Sequence, residues 1–278
     1  YSYVSVLVKE GEDSKSGMSY KVSNDFKSFD ASQIAKEAVK EALSLLGAKS
    51  IKSGQYKVII RNNAVADLLE SFSGIFSAEA VQKDLSLLKG KLNEEIACKN
   101  LTIIDDPFMK DGMASSSFDG EGVACKYKKI IDKGILKTYL HNLKTANKDG
   151  VESTGNASKG SYKASVGISP TNMYIEKGEK TLQEMINSID KGLLIVNLEG
   201  LHAGLNAVSG DFSLAASGFE IENGKIKRPV NQITVAGNFF EVIKNIEEVG
   251  NDLKFGLPGG AYIGAPSLKI KSLAISGE

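Results

Sequence analysis

The chain has 278 residues, and its 34 Lys and Arg are balanced by 34 Asp and Glu, so the formal net charge is zero. It can bury a large core without disulfides or metals, and it lacks the overall positive charge typical of proteins that bind nucleic acid or an anionic membrane. No apolar run could span a bilayer, and the two cysteines make no disulfide framework. We therefore expect a cytoplasmic protein with no direct contact to nucleic acid or membrane.

The first hundred residues carry the clearest helical periodicity. Tyr1–Val8 and Met18–Val22 alternate like paired strands, and Ser28–Leu46 has apolar residues at the 3.6-residue period, with Asp30 as the N-cap. Farther along, the pattern predicts a strand at Tyr56–Ile60, helices over Ala64–Phe76 and Ala78–Leu88, and a strand at Leu101–Ile104.

From about residue 100 glycine becomes frequent and strand patterns dominate. Asn223-Gly224 is the strongest hairpin signal, and Asp132-Lys-Gly134 is a second turn. The remaining predicted elements are strands at Gly122–Ile130, Ile135–Tyr139, Gly192–Asn197, Phe212–Ile221, Ile226–Val235 and Ser267–Ile275, and helices over Leu182–Ile189 and Asn238–Val249. This pattern predicts an α+β fold, with a helix-containing N-terminal part followed by a large, mostly antiparallel β-rich C-terminal domain.

Because Tyr1 opens the chain inside a strand pattern, we expect the sequence to be part of a longer protein. The polar segment from Gly47 to Gly54 is a plausible linker. We therefore divide the chain into residues 1–50, the remainder of an N-terminal or middle region, and residues 51–278, a C-terminal domain.

Four carboxylates lie on two predicted loops, at Asp105, Asp106, Asp119 and Glu121. Paired carboxylates can perform acid–base chemistry or hold a hard cation. Aspartates in Gly-rich loops also accept hydrogen bonds from their own backbone, and this turn chemistry is the favoured interpretation.

Histidine-based zinc motifs are excluded, because the only histidines, His141 and His202, are 61 residues apart. Asp211 and His202 beside Ser209 or Ser213 contain the residue types of a serine-hydrolase triad. We disfavour that interpretation because no GxSxG nucleophile elbow occurs.

Several motifs, taken in order, resemble one family. They are Leu101–Pro107, Phe118–Val123, Ser153–Ala157, Gly192–Val196, Ser209–Ser213, Gly218–Gly224, Pro229–Asn238 and Ile246–Asp252. On these motifs the chain, from about Phe29 to its C-terminus, resembles the TldD/PmbA family, once called modulators of DNA gyrase. Members of this family carry a further N-terminal region.

The resemblance implies a particular branch of that family. Its TldD branch is a zinc peptidase with an HExxxH helix and a cysteine ligand near the C-terminus, whereas the PmbA (TldE) branch lacks these ligands and pairs with TldD. Counted back from Asp105, the HExxxH segment falls on Leu69–Gly74, so that Leu69 and Gly74 replace the histidines and Glu70 stands at the general base. The loop Phe255–Gly260 has no cysteine. The resemblance therefore implies no catalytic residue, no metal ligand and no cofactor in this chain, with zinc held by a TldD-type partner.

The function implied is that of a non-catalytic PmbA/TldE-type subunit of a TldD-type zinc metallopeptidase complex that degrades or processes peptides or unfolded segments. A homodimer is expected when the partner is absent. An extended peptide can add a strand to exposed sheet edges of such a subunit. The candidate residues that line the peptide cleft are Thr154, Gly155, Asn156, Gly210, Asp211 and Ser213.

Two other classes of function remain open. One is a stand-alone hydrolase that uses Asp, Glu or Ser without zinc. The other is an interaction protein that modulates DNA gyrase, although a neutral chain with only two arginines does not favour direct contact with DNA.

Overall fold

The computed structural model describes residues 1–278. The helices are α1 (Ala31–Ser44), α2 (Asn62–Phe72), α3 (Ala78–Gln82), α4 (Leu143–Asp149), α5 (Leu182–Asn187) and α6 (Phe239–Lys244). The strands are β1 (Ser2–Glu10), β2 (Asp13–Lys21), β3 (Gly54–Ile60), β4 (Ile103–Asp105), β5 (Lys128–Asp132), β6 (Ile135–Leu136), β7 (Ala157–Ser158), β8 (Gly167–Ile168), β9 (Asn172–Ile175), β10 (Lys191–Glu199), β11 (Asp211–Glu222), β12 (Lys225–Asn238), β13 (Ile246–Val249), β14 (Lys254–Phe255), β15 (Tyr262–Ala265) and β16 (Leu268–Ser276).

The N-terminal hairpin of β1 and β2 packs against α1 and pairs with no other strand. The side chain of Asp30 caps α1 by accepting a hydrogen bond from the backbone N–H of Gln33. Ala38 and Ala42 of α1 are fully buried, and Gly17 of β2 lies directly against their backbone. Three small residues thus let the helix approach the hairpin closely.

The larger sheet closes on itself. Its order is β12-β11-β10-β3-β16-β13, and β12 also pairs with β16, so that five strands form a ring with β13 attached to β16. β10 and β3 are parallel, and the other neighbours are antiparallel. Closure leaves no unpaired edge between these five strands.

A second six-stranded sheet has the order β14-β15-β9-β4-β5-β6, with β15 parallel to β9. Helix α2 contacts β14 and β15 of this sheet as well as β10 of the ring. Phe72 at the end of α2 is fully buried, and its ring stacks on Phe239 with centroids 4.5 Å apart. One core of 45 buried residues therefore includes side chains from both sheets and from α2.

The structure confirms the α+β class, the N-terminal hairpin, the capped helix α1 and the Asn223-Gly224 hairpin. The helix over Ala78–Leu88 is wrong, because α3 ends at Gln82 and Asp84 has a positive φ of 60°. The helix over Asn238–Val249 is also wrong beyond Lys244, since Ile246–Val249 pairs with β16. None of the six helices is both long and apolar enough to cross a membrane. The division at residue 50 stays a prediction.

We predict that Gly17→Ala destabilises the packing of the hairpin on α1. A Cβ at Gly17 would overlap the carbonyl oxygen of Ala38 and the backbone nitrogen of Ala42. Overpacking of this kind costs about 1–3 kcal/mol, which urea unfolding can measure. Gly160→Ala is the control, because a Cβ there meets no atom within 4 Å. Equal stability of the two variants would contradict the close packing.

Candidate functional site

Arg61 precedes the first residue of helix α2 and pairs with a carboxylate on helix α1. The guanidinium of Arg61 donates to both carboxylate oxygens of Glu41 on α1, at 2.6 and 3.1 Å. It also donates to the carbonyl oxygen of Val196 on β10, at 3.2 Å. This two-pronged pair fixes α1, α2 and β10 relative to one another.

Asp67 and Glu70 lie three residues apart on α2, on the side of the helix that is less buried. Leu69 between them is only 1% exposed, whereas Asp67 is half-buried and Glu70 is exposed. Desolvation, and then the charge of Glu70, raises the pKa of Asp67 to about 6, and desolvation also raises the pKa of Glu70. Neither carboxylate forms a salt bridge or a side-chain hydrogen bond. Burial without a salt-bridge partner favours the neutral carboxyl group, so Asp67 loses its proton near pH 6 instead of near pH 4.

Aromatic side chains surround this acidic face. The Tyr20 hydroxyl donates to the carbonyl oxygen of Phe255, at 2.8 Å, and the Phe255 ring stacks on Tyr262 with centroids 4.5 Å apart. Desolvation and then the charge of Asp67 raise the pKa of Tyr20 to about 12. A Cβ at Gly259 would lie 3.8 Å from Oε1 of Glu70. The structure thus brings the glycine-rich loop after Phe255 against α2.

The residues at this position do not fit a zinc site. Leu69 packs in the core, and Gly74 lies beyond the end of α2 in a 3₁₀ turn, so the two positions offer no side-chain ligand. The loop Phe255–Gly260 offers no thiolate. No group of three or more His, Cys, Asp or Glu side chains in the chain is placed to hold a metal ion. We therefore derive no reaction step through a metal here.

The first candidate peptide loop surrounds a buried carboxylate. Asp105 is fully buried and accepts hydrogen bonds from Lys128 Nζ at 3.0 Å, from Asn156 Nδ2 at 2.8 Å, and from both the backbone N–H and the hydroxyl of Thr171 at 2.7 Å. Thr154 and Gly155 lie beside this network, and Thr154 Oγ1 accepts from the backbone N–H of His141. The side chain of Asn156 therefore has a structural role, because it donates to the buried carboxylate of Asp105. Contact of this loop with a peptide stays a prediction.

The other loop carboxylates accept hydrogen bonds from backbone N–H groups. Asp106 accepts from Phe108, and Asp119 accepts from Glu121 and Val123 within its own turn. Asp119 also accepts from Ala157, 38 residues farther along. These bonds are the turn chemistry that the glycine-rich loops suggested.

The second candidate loop begins β11. Gly210 has a φ of 84°, and Asp211 and Ser213 are exposed, with Asp211 accepting from Asn238 Nδ2 at 2.9 Å. His202 is exposed on the preceding loop and forms no hydrogen bond with Asp211 or a serine. The two candidate loops share no hydrogen bond, and their role in peptide binding stays a prediction.

Sequence reasoning missed Asp67 and Tyr20. The three-residue spacing of Asp67 and Glu70, which places both on one helix face, could have identified Asp67. No local signal could have placed Tyr20 at this site, since its contact with Phe255 spans 235 positions.

Comparison with known proteins identifies the family to which this arrangement belongs. The sequence profile described as "PmbA/TldA metallopeptidase C-terminal domain" matches residues 53–277. The chain therefore belongs to the PmbA/TldA metallopeptidase family.

Named relatives agree with this assignment. The chain is 32% identical over 249 residues to a metalloprotease PmbA homolog from Buchnera aphidicola subsp. Baizongia pistaciae, covering 89% of this chain and 53% of that protein. It is 33% identical over 257 residues to a metalloprotease TldD homolog from Buchnera aphidicola subsp. Acyrthosiphon pisum, covering 87% and 52%. The chain thus spans about half the length of these relatives, and overall identity does not separate the two branches.

A solved structure has the same fold. A Thermotoga maritima protein, provisionally named a modulator of a DNA gyrase, superposes with a TM-score of 0.91 at 41% identity, covering 99% of this chain and 61% of that one.

We predict that Asp105→Ala strongly destabilises the protein. The substitution leaves the Lys128 ammonium, whose side chain is 9% exposed, without its carboxylate. Breaking one partner of a buried pair costs about 3–5 kcal/mol, measurable by urea unfolding. Lys128→Met in the same chain should recover part of the loss. A loss below about 1 kcal/mol would contradict the structural role of Asp105.

We predict that Asp67→Asn stabilises the protein at neutral pH. The folded state raises the pKa of Asp67 from 3.8 to about 6, so the folded chain holds this proton more tightly than the unfolded chain. The ionised carboxylate therefore weakens the fold progressively as pH rises from 4 to above 6. The variant should gain about 1–3 kcal/mol at pH 7.5 in urea unfolding, and nothing near pH 4. Asp190→Asn, at an exposed aspartate, is the control, and equal gains at both pH values would contradict the prediction.

Proposed function

We propose that this chain is a non-catalytic, PmbA-type subunit of a TldD-type zinc metallopeptidase complex. In this proposal the partner holds the zinc and cleaves the peptide bond. The chain described here pairs with that partner in the cytoplasm, helps to shape the chamber, and holds the peptide or unfolded segment. Its own homodimer forms when the partner is absent.

The observation that carries the proposal is which residues occupy the positions in α2, in the 3₁₀ turn after it and in the loop after Phe255 where the family resemblance requires ligands. Leu69 contributes to the core and Gly74 contributes no side chain, so two of the three ligand positions carry no donor atom. The third, in the loop after Phe255, is not a cysteine. Glu70 alone keeps the residue type of the general base, and it has no metal-bound water to deprotonate.

The position of that loop also supports the proposal. Gly259 lies against Glu70, so the helix and the loop that together carry the ligands of the TldD branch meet here as well. In this proposal the framework of helix and loop is kept while the donor atoms are replaced. Such a chain retains the shape needed for assembly with a related subunit, but it neither binds zinc nor cleaves a peptide bond.

Reconstitution with a TldD-type partner tests the proposal. We expect this chain with added zinc to cleave no unfolded peptide, and the mixture with the partner to cleave faster than the partner alone. Glu70→Gln in this chain should leave the rate of the mixture unchanged. Replacing the glutamate of the partner's HExxxH motif should abolish cleavage.

Three results would overturn the proposal. Cleavage by this chain alone in excess chelator would favour a stand-alone hydrolase. A large loss of activity on Glu70→Gln would make Glu70 catalytic. Binding to DNA gyrase, together with no effect on the TldD-type partner, would favour a role as an interaction protein.

A further inference from the structure

His141 is a buried histidine whose Nδ1 atom has no hydrogen-bond partner. The residue is only 5% exposed and lies on the segment between β6 and α4. Its imidazole packs at a tilt beside Tyr139, with aromatic centroids 6.4 Å apart. A neutral imidazole has one donor nitrogen and one acceptor nitrogen, whereas both nitrogens of the imidazolium donate. The site therefore holds the neutral form, because it offers the charged form no acceptor at Nδ1.

Asp149 of α4 is the charged group that favours protonation of this imidazole. Desolvation lowers the pKa of His141, and the charge of Asp149 offsets this only in part. The other titratable groups on the elements packed here are Tyr139, Lys144, Lys148, Glu79, Lys83, Glu121 and Glu152. Their carboxylates already have partners, namely the Lys83 ammonium, the backbone N–H of Leu143 and the Lys126 ammonium. Among these groups, only the exposed Asp149 is left to stabilise an imidazolium.

The main chain of His141 holds the loop that precedes β7. Its N–H donates to Oγ1 of Thr154 at 2.7 Å. Its carbonyl oxygen accepts from Oγ of Ser153 at 3.2 Å and from the backbone N–H of Asn156 at 3.3 Å. The side chain of Asn156 in turn donates to the buried carboxylate at the end of β4, at 2.8 Å. One residue therefore fixes the segment Ser153–Asn156, which we call the His141 loop.

Helix α4 connects the imidazole to the His141 loop. The residues on either side of His141 are fixed, because Leu140 exchanges backbone hydrogen bonds with the chain at the start of α3 and Asn142 caps α4. Helix α4 ends at Asp149, and only three residues separate it from Ser153. An imidazole that turns out to water must therefore displace either its own main chain or α4, and both movements pull on the His141 loop.

We propose that His141 is an acid-sensitive switch, in which uptake of one proton from solvent by the buried imidazole opens the chain between residues 141 and 156. In the closed state the imidazole is neutral, and the His141 loop keeps Asn156 on the carboxylate of Asp105. In the open state the imidazolium is hydrated, and Asn156 leaves Asp105. The switch lies within this chain, so it goes beyond the proposed function and requires neither a partner subunit nor a peptide.

Amide hydrogen exchange, followed by NMR from about pH 7.5 to about pH 4.5, tests the switch. The closed state disfavours the proton, so its stability is complete above about pH 6.5 and decreases below it. Opening that takes up one proton becomes up to about tenfold more favourable for each pH unit. After correction for intrinsic exchange, we expect this rise at the amides of His141 and Asn156. The amide of Arg61, which donates to Ile195 in the strand ring, should show no such rise.

Three variants separate titration from packing. His141→Leu places an apolar side chain where Nδ1 has no partner, so we expect it to fold and to lose the pH dependence at Asn156. His202→Gln, at the exposed second histidine, is the matched control and should keep the rise. Asp149→Asn should extend the rise to lower pH, because it removes the charge that stabilises the imidazolium in the closed state. This last variant tests the switch even if His141→Leu does not fold.

The inference is wrong if exchange at Asn156 shows no rise as the pH falls, or if the rise persists unchanged in His141→Leu. An equal rise at Arg61 would also contradict it, because acid would then unfold the whole chain and not the segment between residues 141 and 156. Loss of the rise in His202→Gln would assign the titration to the other histidine. None of these results bears on the proposed function, which is tested with the TldD-type partner.

Discussion

The pairing of β12 with both β11 and β16 is the constraint on which the rest of the structure depends. This closure turns five strands into a ring and removes their edges. Because β3 is one of those strands, the helix that follows it is fixed at the ring. Phe72 then stacks on Phe239, at the start of α6 beyond the end of β12, and locks the end of α2. The closure of the ring therefore fixes the position of α2 and of the carboxylates that it carries.

The hairpin of β1 and β2 has the opposite property. It is a two-stranded sheet that packs on α1, and the Tyr20 hydroxyl joins it to the carbonyl oxygen of Phe255. Its two strands pair only with each other, whereas the strands of the ring have neighbours on both sides.

Helix α2 meets the glycine-rich loop after Phe255, where Gly259 lies beside Glu70. Two desolvated carboxylates stand on the face that turns toward the aromatic rings. Desolvation raises the pKa of both carboxyl groups, and the charge of Glu70 raises that of Asp67 further, so ionisation of this face opposes folding.

Local patterns in the sequence determined much of this protein. Alternation predicted the first hairpin, the 3.6-residue period and Asp30 predicted α1, and Asn223-Gly224 predicted the longest hairpin, because each depends on neighbours in the chain. The order of short motifs indicated the family.

Only the tertiary structure decided which segments meet. Ile246–Val249 has a helical pattern but pairs with β16, since cross-strand burial outweighs weak helix propensity. Asn156 looked like a residue available to a peptide, and the fold buries it against Asp105. The sequence predicted that β2 is a strand, but it did not predict that β2 pairs with β1 alone, because strand pairing depends on segments distant in sequence. The sequence therefore specified most of the elements and the family, whereas long-range contacts specified which residues share a site.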